Sequence, residues 1–511
     1  MLAAGLAVSV LAALTPAVAV AAPQPPPSAQ AASSAPAAAS AGLAWQRCGP
    51  DTPAYFECAT VEVPLDYRHP GGKKIDVAIS RIKAADPAQR HGVLFSNPGG
   101  PGGEGLTLPL DLHKEMPQSL RDRFDLIGMD PRGVGKSTPL SCGLTAEEKG
   151  WPRPYAPSTF TADVLRAKSI ADKCRAKYGA DLKHFTSRNT ARDMDAIRAA
   201  LGEKKISYVG YSYGTYLGAV YTQLFPHRAD RIVLDSAVDP EKAWRETFRI
   251  WAPEAERAFD RWTRWAAARH AQYGLGASPA AVARTFHGVV AQADRAPITV
   301  GDRKFSGVEI RDAMRASFFS VKEATERTVM LKEAAAGKPV PNVPVDPEMP
   351  DNLASSQFTV VCSDVAWPRD PETYRKDSER GAVRHPLYGD FASSITPCAF
   401  WDGPAERVTK VRNRVPALIV QNEWDSQTPL TTARGMHRAM QGARMVTVDE
   451  GEGHGVYLFG NACASDVTSA YLVTGRLPAK DVTCRAEPGA RRGAPMELPQ
   501  MWAGIGAGSA R

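Results

Sequence analysis

Runs of basic residues are missing from this sequence, which removes the usual electrostatic basis for binding nucleic acid. The 511 residues include 62 Lys and Arg against 55 Asp and Glu, a formal net charge of +7. No Lys/Arg-rich stretch or aromatic-interleaved basic patch concentrates this charge, as a nucleic-acid-binding surface would require. We therefore expect a slightly basic surface and no nucleic-acid partner.

Closely spaced cysteine pairs are missing as well. None of the eight cysteines belongs to a C-x-x-C pair, the spacing that structural zinc sites commonly use, so we expect no metal and no cofactor. Eight cysteines allow 105 disulfide connectivities. Because neighbours in sequence fall at the ends of local loops, we favour the pairs Cys48–Cys58, Cys142–Cys174, Cys362–Cys398 and Cys463–Cys484.

Long apolar runs are scarce in this sequence, and the run that comes nearest to the length of a membrane span lies at the N-terminus. The stretch 2–22 is interrupted by Pro16. It ends in small residues, Ala17-Val18-Ala19 or Ala19-Val20-Ala21, where a signal peptidase could cut. Such a run is typical of a secretory signal peptide with its cleavage site and is too broken for a permanent span. We expect a signal peptide over 1–22, a secreted protein without stable membrane association, and disulfides between the cysteines.

The remaining chain has the pattern of an α/β protein. Residues 23–42 are rich in Pro, Ala and Ser and predict a disordered linker. From residue 43, short β-branched runs alternate with helical patterns, which indicates a mostly parallel sheet with crossover helices. The clearest predicted strands are 93–96, 124–129, 206–211, 231–234, 417–421 and 445–448.

This strand–helix rhythm stops between the predicted strands 231–234 and 417–421. Helix-like stretches at 244–273 and 308–335 occupy the gap, with aromatics at helical spacing. The gap is either an insertion with its own small core or a cap over an active site, and both can hold together. The predicted division is a first core part 43–239, a helical cap 240–396, a second core part 397–490 and a loosely ordered tail 491–511.

The pentapeptide Gly210-Tyr211-Ser212-Tyr213-Gly214 fits the pattern G-x-S-x-G. An apolar strand pattern precedes it and a helix-like run follows, closed by Pro226. In that context the serine lies in a sharp strand-to-helix turn, where only small residues fit at 210 and 214 and the hydroxyl projects from the sheet. The same five letters also occur in ordinary turns, but these flanking elements favour Ser212 as a nucleophile.

A serine hydroxyl is a weak nucleophile at neutral pH and needs a base, which in turn needs an orienting group. Where this turn occurs, an acid and then a histidine follow the serine in the chain. His454 lies in a glycine-rich loop after the predicted strand 445–448 and is the predicted base, in preference to His437 in a helix-like segment. Asp425 follows a strand and is the predicted orienting acid, with Asp235, one strand earlier, as its rival.

The glycine-rich stretch 98–105 follows the predicted strand 93–96 directly. Glycines let backbone N–H groups turn inward toward a developing negative oxygen, which the tetrahedral intermediate of acyl transfer carries. We predict that the N–H groups of Gly100 and Tyr213 form this oxyanion hole. The alternative is a flexible loop without a role.

These motifs together resemble the prolyl aminopeptidase group of α/β-hydrolase serine peptidases, and within it the secreted tripeptidyl aminopeptidases and their TAP-like relatives. The resemblance implies the α/β-hydrolase fold, a helical cap and a triad of Ser212, Asp425 and His454. It also implies release of short peptides, such as tripeptides, from free N-termini. The matching segments are Gly-Gly-Pro-Gly at 99–102, Asp-x-Arg-Gly at 130–133, the nine residues 210–218, Asp425 with 428–429, and Gly-His-Gly at 453–455.

Such a substrate presents an α-ammonium group, which needs a carboxylate partner once it leaves water. Glu104 departs from the family pattern, which often has a small residue after the glycines, and it either holds this ammonium group or faces solvent. We favour the second. The predicted cap offers Glu254, Glu256, Asp260 and Asp364 as further partners.

Two other classes of function stay open. A carboxylic-ester hydrolase could use the same triad and would present an apolar acyl pocket instead of a carboxylate. A catalytically inactive binding protein would be expected to have lost Ser212 or His454, and both are present. The favoured expectation is a monomeric peptidase acting on peptide or protein N-termini.

Overall fold

The computed structural model describes residues 42–150, 153–342 and 348–486. The predicted signal peptide, the predicted linker up to residue 41 and the predicted tail lie outside the described residues. Within the described part, twelve strands are present. They are β1 (Gln46–Arg47), β2 (Phe56–Pro64), β3 (Lys74–Ile82), β4 (Gly92–Asn97), β5 (Phe124–Met129), β6 (Ile206–Tyr211), β7 (Ala229–Asp235), β8 (Ile298–Val300), β9 (Arg303–Phe305), β10 (Ala417–Trp424), β11 (Arg444–Glu452) and β12 (Val482–Arg485).

Ten of these described strands form one sheet in the order β1-β2-β3-β5-β4-β6-β7-β10-β11-β12. From β5 to β12 all neighbours are parallel, whereas β1, β2 and β3 add an antiparallel edge. Every residue of β4, β5 and β6 is buried, because a parallel sheet is covered on both faces and selects continuous apolar runs. The six predicted strands are therefore confirmed, and the sheet is mostly parallel as predicted.

Helices cover both faces of this sheet and fill the long gap between β7 and β10. In the described residues they include three short 3₁₀ helices, Gly179–His184, Pro226–Arg228 and Pro397–Phe400. None of the described helices is long and apolar enough to cross a membrane. The α-helices are α1 (Leu108–Glu115), α2 (Gln118–Arg121), α3 (Ala146–Lys149), α4 (Phe160–Tyr178), α5 (Ser187–Ala200), α6 (Tyr213–Leu224), α7 (Arg245–Arg249), α8 (Trp251–Ala267), α9 (His270–Tyr273), α10 (Pro279–Arg295), α11 (Gly307–Ser317), α12 (Val321–Ala335), α13 (Asp351–Asp364), α14 (Pro371–Arg384), α15 (Gly389–Ala392), α16 (Leu430–Ala439) and α17 (Ala462–Thr474).

The segment between β7 and β10, which we call the cap, holds α7 to α15 and the small hairpin of β8 and β9. In α8, Ala255, Phe259, Trp262 and Ala266 are all buried, and their spacing of three or four residues places them on one face. This face belongs to an apolar cluster that is separate from the clusters around the large sheet. The predicted helical stretches at 244–273 and 308–335 are confirmed, and the hairpin is an element that the sequence did not predict.

All four favoured disulfides are formed: Cys48–Cys58, Cys142–Cys174, Cys362–Cys398 and Cys463–Cys484. Each closes a local loop, with sequence separations of 10, 32, 36 and 21 residues respectively. No cysteine is left free.

Candidate active site

Ser212 stands at the junction between β6 and α6, where the chain reverses in a strained turn. Its φ of 56° and ψ of −122° lie outside the regions that residues with side chains usually adopt. A β-carbon added at Gly210 would lie 2.5 Å from the Gly214 carbonyl oxygen, and one at Gly214 would lie 2.9 Å from the Asn97 carbonyl oxygen. Only glycine fits at either position, so the turn requires the two glycines of the G-x-S-x-G pattern.

The glycine-rich loop after β4 lies directly against this turn. A β-carbon at Gly99, where φ is +104°, would approach the Tyr211 carbonyl oxygen to 2.6 Å and Ser212 Cβ to 2.9 Å. Gly100 follows at φ +109°. Tyr213 is the first residue of α6, so its N–H belongs to the first turn, which has no acceptor within the helix. The residue before Gly100 therefore lies close to the Tyr213 nitrogen, 3.3 Å from a β-carbon placed on Gly99, and the oxyanion hole of Gly100 and Tyr213 stays a prediction.

His454 and Asp425 form a buried pair. His454 Nδ1 lies 2.7 Å from Asp425 Oδ2, and both side chains are at most 1% exposed. The second carboxylate oxygen, Oδ1, accepts the N–H groups of Gln427 at 2.8 Å and Thr428 at 3.0 Å, while the Thr428 hydroxyl donates to Oδ2 at 2.9 Å. The carboxylate is therefore fixed by its own loop, and it fixes the imidazole.

The other ring nitrogen, His454 Nε2, has no hydrogen-bond partner among the described residues. The structure accordingly brings the predicted acid and base together but forms no hydrogen bond from the base to Ser212. Such bonds are often long or open in enzymes without substrate. The ring of Phe319, from the cap, lies 6.1 Å from the His454 ring.

Asp235, the rival acid, binds the backbone of the loop that carries His454, which we call the histidine loop. It forms no hydrogen bond with the His454 ring. Its buried carboxylate accepts the N–H groups of Val456 at 3.0 Å and Tyr457 at 2.6 Å. Its main-chain oxygen accepts the Ser212 N–H at 3.0 Å. Burial raises the pKa of Asp235 to about 6, although these N–H donors lower it. Asp235 thus links the serine turn to the histidine loop, a contact that its position at a strand end did not reveal.

The predicted substrate-binding carboxylates differ in their contacts and exposure. Glu254 pairs with Arg257 at 2.8 Å, and Glu256 accepts the Leu387 N–H at 2.8 Å. Glu104 is exposed on the glycine-rich loop. The exposed Asp260 pairs with Arg264 at 2.7 Å in the cap.

Asp364 is the last residue of α13, and its side chain is buried. It accepts the N–H and hydroxyl of Ser187 at 2.7 and 2.6 Å and the Trp244 indole N–H at 3.0 Å. Burial raises its pKa to about 6, while these donors lower it. The contacts favour a structural role for this side chain. Among the described residues, no group of three or more His, Cys, Asp or Glu side chains could hold a metal ion.

Comparisons with known proteins agree with this architecture. A family model described as alpha/beta hydrolase fold matches residues 92–287, which include β4 to β7 with Ser212. A second model, described as TAP-like protein, matches residues 385–484, which include Asp425 and His454. The chain is an α/β hydrolase.

Curated relatives narrow this class. The chain is 37% identical over 478 residues to the tripeptidyl aminopeptidase of Streptomyces lividans, covering 87% of each chain. It is 29% identical over 458 residues to the serine protease Hip1 of Mycobacterium tuberculosis, covering 84% of this chain and 87% of that protein. It is 30% identical over 457 residues to carboxylesterase B of the same species, covering 84% and 86%. The chain belongs to the TAP-like family of α/β hydrolases, which includes tripeptidyl aminopeptidase.

Proposed function

We propose that this protein is a secreted serine exopeptidase that releases short peptides, typically tripeptides, from free N-termini through an acyl-enzyme. The observation that carries the proposal is the buried pair of His454 and Asp425, which leaves His454 Nε2 without a partner in the described structure. The four disulfides and the apolar stretch 2–22 support an exported protein.

In this proposal Ser212 Oγ attacks the carbonyl carbon of the scissile bond while His454 Nε2 takes the hydroxyl proton. Asp425 keeps the imidazole oriented and stabilises its positive charge. The N–H groups of Gly100 and Tyr213 donate to the oxygen that becomes negative. The proton then passes from His454 to the leaving amine. A water molecule next attacks the carbonyl carbon of the acyl-enzyme, with His454 again taking the proton. This step releases the N-terminal peptide as a carboxylate and returns the proton to Ser212.

The α-ammonium group of the substrate needs a carboxylate, and the contacts of the candidates favour one of them. Glu254 and Glu256 are engaged with Arg257 and with the Leu387 N–H. Glu104 lies on the loop that contacts Ser212, and its side chain faces solvent in the free protein, as the sequence favoured, so that it stays open to the ammonium group of an arriving substrate. Glu104→Gln should therefore raise KM for a free-amine tripeptide substrate by roughly tenfold, the effect of losing about 1.4 kcal/mol, whereas Glu254→Gln should not.

A second candidate is a carboxylic-ester hydrolase that uses the same triad. Two observations favour it: the similarity to carboxylesterase B, and the engagement of most predicted ammonium-binding carboxylates with protein partners. The ester-hydrolase alternative predicts activity confined to short-chain esters.

A substrate panel decides between these functions. The purified protein and its Ser212→Ala variant are assayed on free-amine tripeptide substrates, their N-acetylated counterparts and short-chain esters. The exopeptidase function predicts at least tenfold faster cleavage of the free peptides, corresponding to one lost ion pair of about 1.4 kcal/mol, and loss of roughly 10⁶ in turnover in Ser212→Ala. Equal rates on free and blocked peptides would point to an endopeptidase, and retention of a tenth of the activity by Ser212→Ala would exclude Ser212 as nucleophile.

A further inference from the structure

The cap reaches the loop of Asp425 through a buried arginine. Arg315 of α11 is 1% exposed, and its terminal nitrogens donate to the Ser426 carbonyl oxygen at 3.2 Å and to Gln427 Oε1 at 3.1 Å. The Trp251 indole, from α8, donates to the Gln427 carbonyl oxygen at 2.7 Å. Because Ser426 and Gln427 immediately follow Asp425, a shift of these cap side chains would move the carboxylate that orients His454.

The Arg315 guanidinium is itself held in one orientation. It lies over the Trp251 ring at 4.5 Å and over the Tyr388 ring at 5.0 Å. The Tyr388 hydroxyl donates to Asp312 Oδ1 at 3.3 Å, and Asp312 is buried one turn earlier in α11. The planar fork of an arginine fixes the directions of its donors, whereas a lysine ammonium does not. The held guanidinium therefore fixes the directions of the Ser426 carbonyl group and of the Gln427 side chain.

A second cap arginine contacts the loop of His454. Arg261 of α8 pairs with Glu452 Oε1 at 2.8 Å and lies over the Trp424 ring at 4.6 Å. The same Glu452 oxygen accepts the Val321 N–H, at the start of α12, at 3.3 Å. Glu452 is the last residue of β11 and stands two residues before His454. The cap is thus attached to both loops of the acid–base pair, by different helices and different side chains.

We propose that Arg315 and Arg261 are positioning residues that hold the loops of Asp425 and His454 in their working geometry, so that the cap assists turnover as well as substrate selection. This inference rests on the proposed serine-hydrolase function. A cap that acted only on substrate would contact the bound peptide and leave the acid–base loops alone. Here the arginines contact the loops and act through Asp425 and His454, where a misplacement of about 1 Å can reduce the rate by roughly 100-fold.

The test compares Arg315→Met and Arg261→Met with a matched control, Arg311→Met. Arg311 lies one turn before Arg315 on α11, donates to both carboxylate oxygens of Asp390 at 3.0 and 2.8 Å, and lies over the Phe391 ring at 5.2 Å. Its substitution removes a comparable arginine whose described contacts stay inside the cap. Any loss caused by a weakened cap should therefore appear in the control as well.

Activity is measured on a small activated ester such as p-nitrophenyl acetate, which extends little toward the cap, and on a free-amine tripeptide substrate. We expect Arg315→Met to lower kcat on both substrates by roughly 10–100-fold with KM changed by less than about threefold. Arg261→Met should act in the same direction and Arg311→Met should leave kcat within about threefold of wild type. The rate at which a fluorophosphonate labels Ser212 should fall in parallel with kcat, because it reports activation of the serine by the acid–base pair.

Several results would overturn the proposal. These are wild-type kcat in Arg315→Met, an equal loss in Arg311→Met, or a loss confined to KM for the peptide. If Arg315→Met does not fold, Arg315→Lys decides: it keeps the charge without the fork, so an intermediate kcat with unchanged KM is expected, and wild-type kcat refutes the role. Failure of the wild-type protein on every substrate, or an active Ser212→Ala, refutes the proposed function before the arginines are compared.

Discussion

Two carboxylates end neighbouring strands beside the histidine loop, and they make different contacts. Asp425 accepts from the His454 ring at 2.7 Å, whereas Asp235 accepts from the N–H groups of Val456 and Tyr457. The first sets the tautomer and orientation of the imidazole, and the second sets the path of the backbone that carries it. Substitutions of the two carboxylates should therefore differ in their effect on kcat.

Asp425→Asn should lower kcat by roughly 10³- to 10⁴-fold, because an amide in place of the carboxylate favours the wrong imidazole tautomer. Asp235→Asn should cost at least tenfold less, since it retains an acceptor for the loop N–H groups and the main-chain contact with Ser212. Both are measured as kcat on a small activated ester. An equal or larger loss in Asp235→Asn would identify Asp235 as the orienting acid.

Asp364 offers a test of a buried carboxyl through the pH dependence of stability. Burial raises its pKa to about 6 in the folded chain from an ordinary 3.8, so the folded state binds the proton more tightly than the unfolded state. The wild type therefore loses stability relative to Asp364→Asn as the pH rises from about 4 to about 6, by on the order of 3 kcal/mol. Denaturant unfolding of both proteins at several pH values measures this difference. A difference that stays constant across this range would show that the pKa is not raised.

At the scale of elements, the contact between the glycine-rich loop and the β6–α6 turn is set by backbone and not by side chains. Gly99→Ala should lower kcat by roughly 100-fold or more, because its β-carbon collides with the Tyr211 carbonyl oxygen and Ser212 Cβ and so displaces oxyanion-hole donors. Gly143→Ala is the matched control, since Gly143 also has a positive φ (+72°) but its β-carbon would meet nothing within 4 Å.

Gly143→Ala should share the backbone strain of the left-handed region without affecting the site. Its kcat is expected within about threefold of wild type, and it should lose less stability than Gly99→Ala, whose β-carbon also collides with the serine turn. Thermal unfolding and kcat, measured on the same preparations, separate the two effects. A Gly99→Ala protein with normal kcat would mean that the loop can move away from Ser212 at no catalytic cost.

The elements that could be predicted from the sequence are those whose signal is local. Strands β4 to β6 are buried apolar runs, and Ser212 follows one of them in a turn that needs glycine on both sides. Each of the four disulfides closes a loop of at most 36 residues, which also explains why neighbouring cysteines were the correct pairs. Pattern and structure agree wherever neighbours in sequence determine the contact.

Contacts between distant residues could not be predicted in the same way. Glu256 binds the N–H of Leu387, which lies 131 residues away, and Asp364 binds Ser187, 177 residues away. A carboxylate in a predicted cap has the same appearance in the sequence whether it faces substrate or a protein donor. The antiparallel pair of β2 and β3 was not predicted because these partly exposed strands lack the continuous apolar run of a strand in a parallel sheet.

At the scale of the whole molecule, α8, α10, α11, α12 and α15 of the cap share an apolar cluster of their own, whereas α13 of the cap packs its buried residues into the core around the sheet. Polar contacts then join the cap to the two loops of the acid–base pair. Substitutions at these joining contacts are therefore expected to affect turnover. The disulfides are distributed differently, since each of them closes a local loop.

Removing single disulfides should therefore destabilise the molecule according to loop length and burial. The pair Cys362–Cys398 closes 36 residues and its cysteines are 2% and 3% exposed, whereas Cys48–Cys58 closes 10 residues with half-buried cysteines. Loop-closure entropy alone makes the double Ala variant at 362 and 398 less stable than the one at 48 and 58 by about 1 kcal/mol. The buried cavity left by the first pair adds to this difference. Denaturant unfolding of both variants measures this difference in stability. Alkylation and mass spectrometry of the unreduced proteins check that the remaining six cysteines stay paired. A greater loss of stability in the variant at 48 and 58 would show that strain in the native state, and not the entropy of the unfolded chain, controls the contribution of each disulfide.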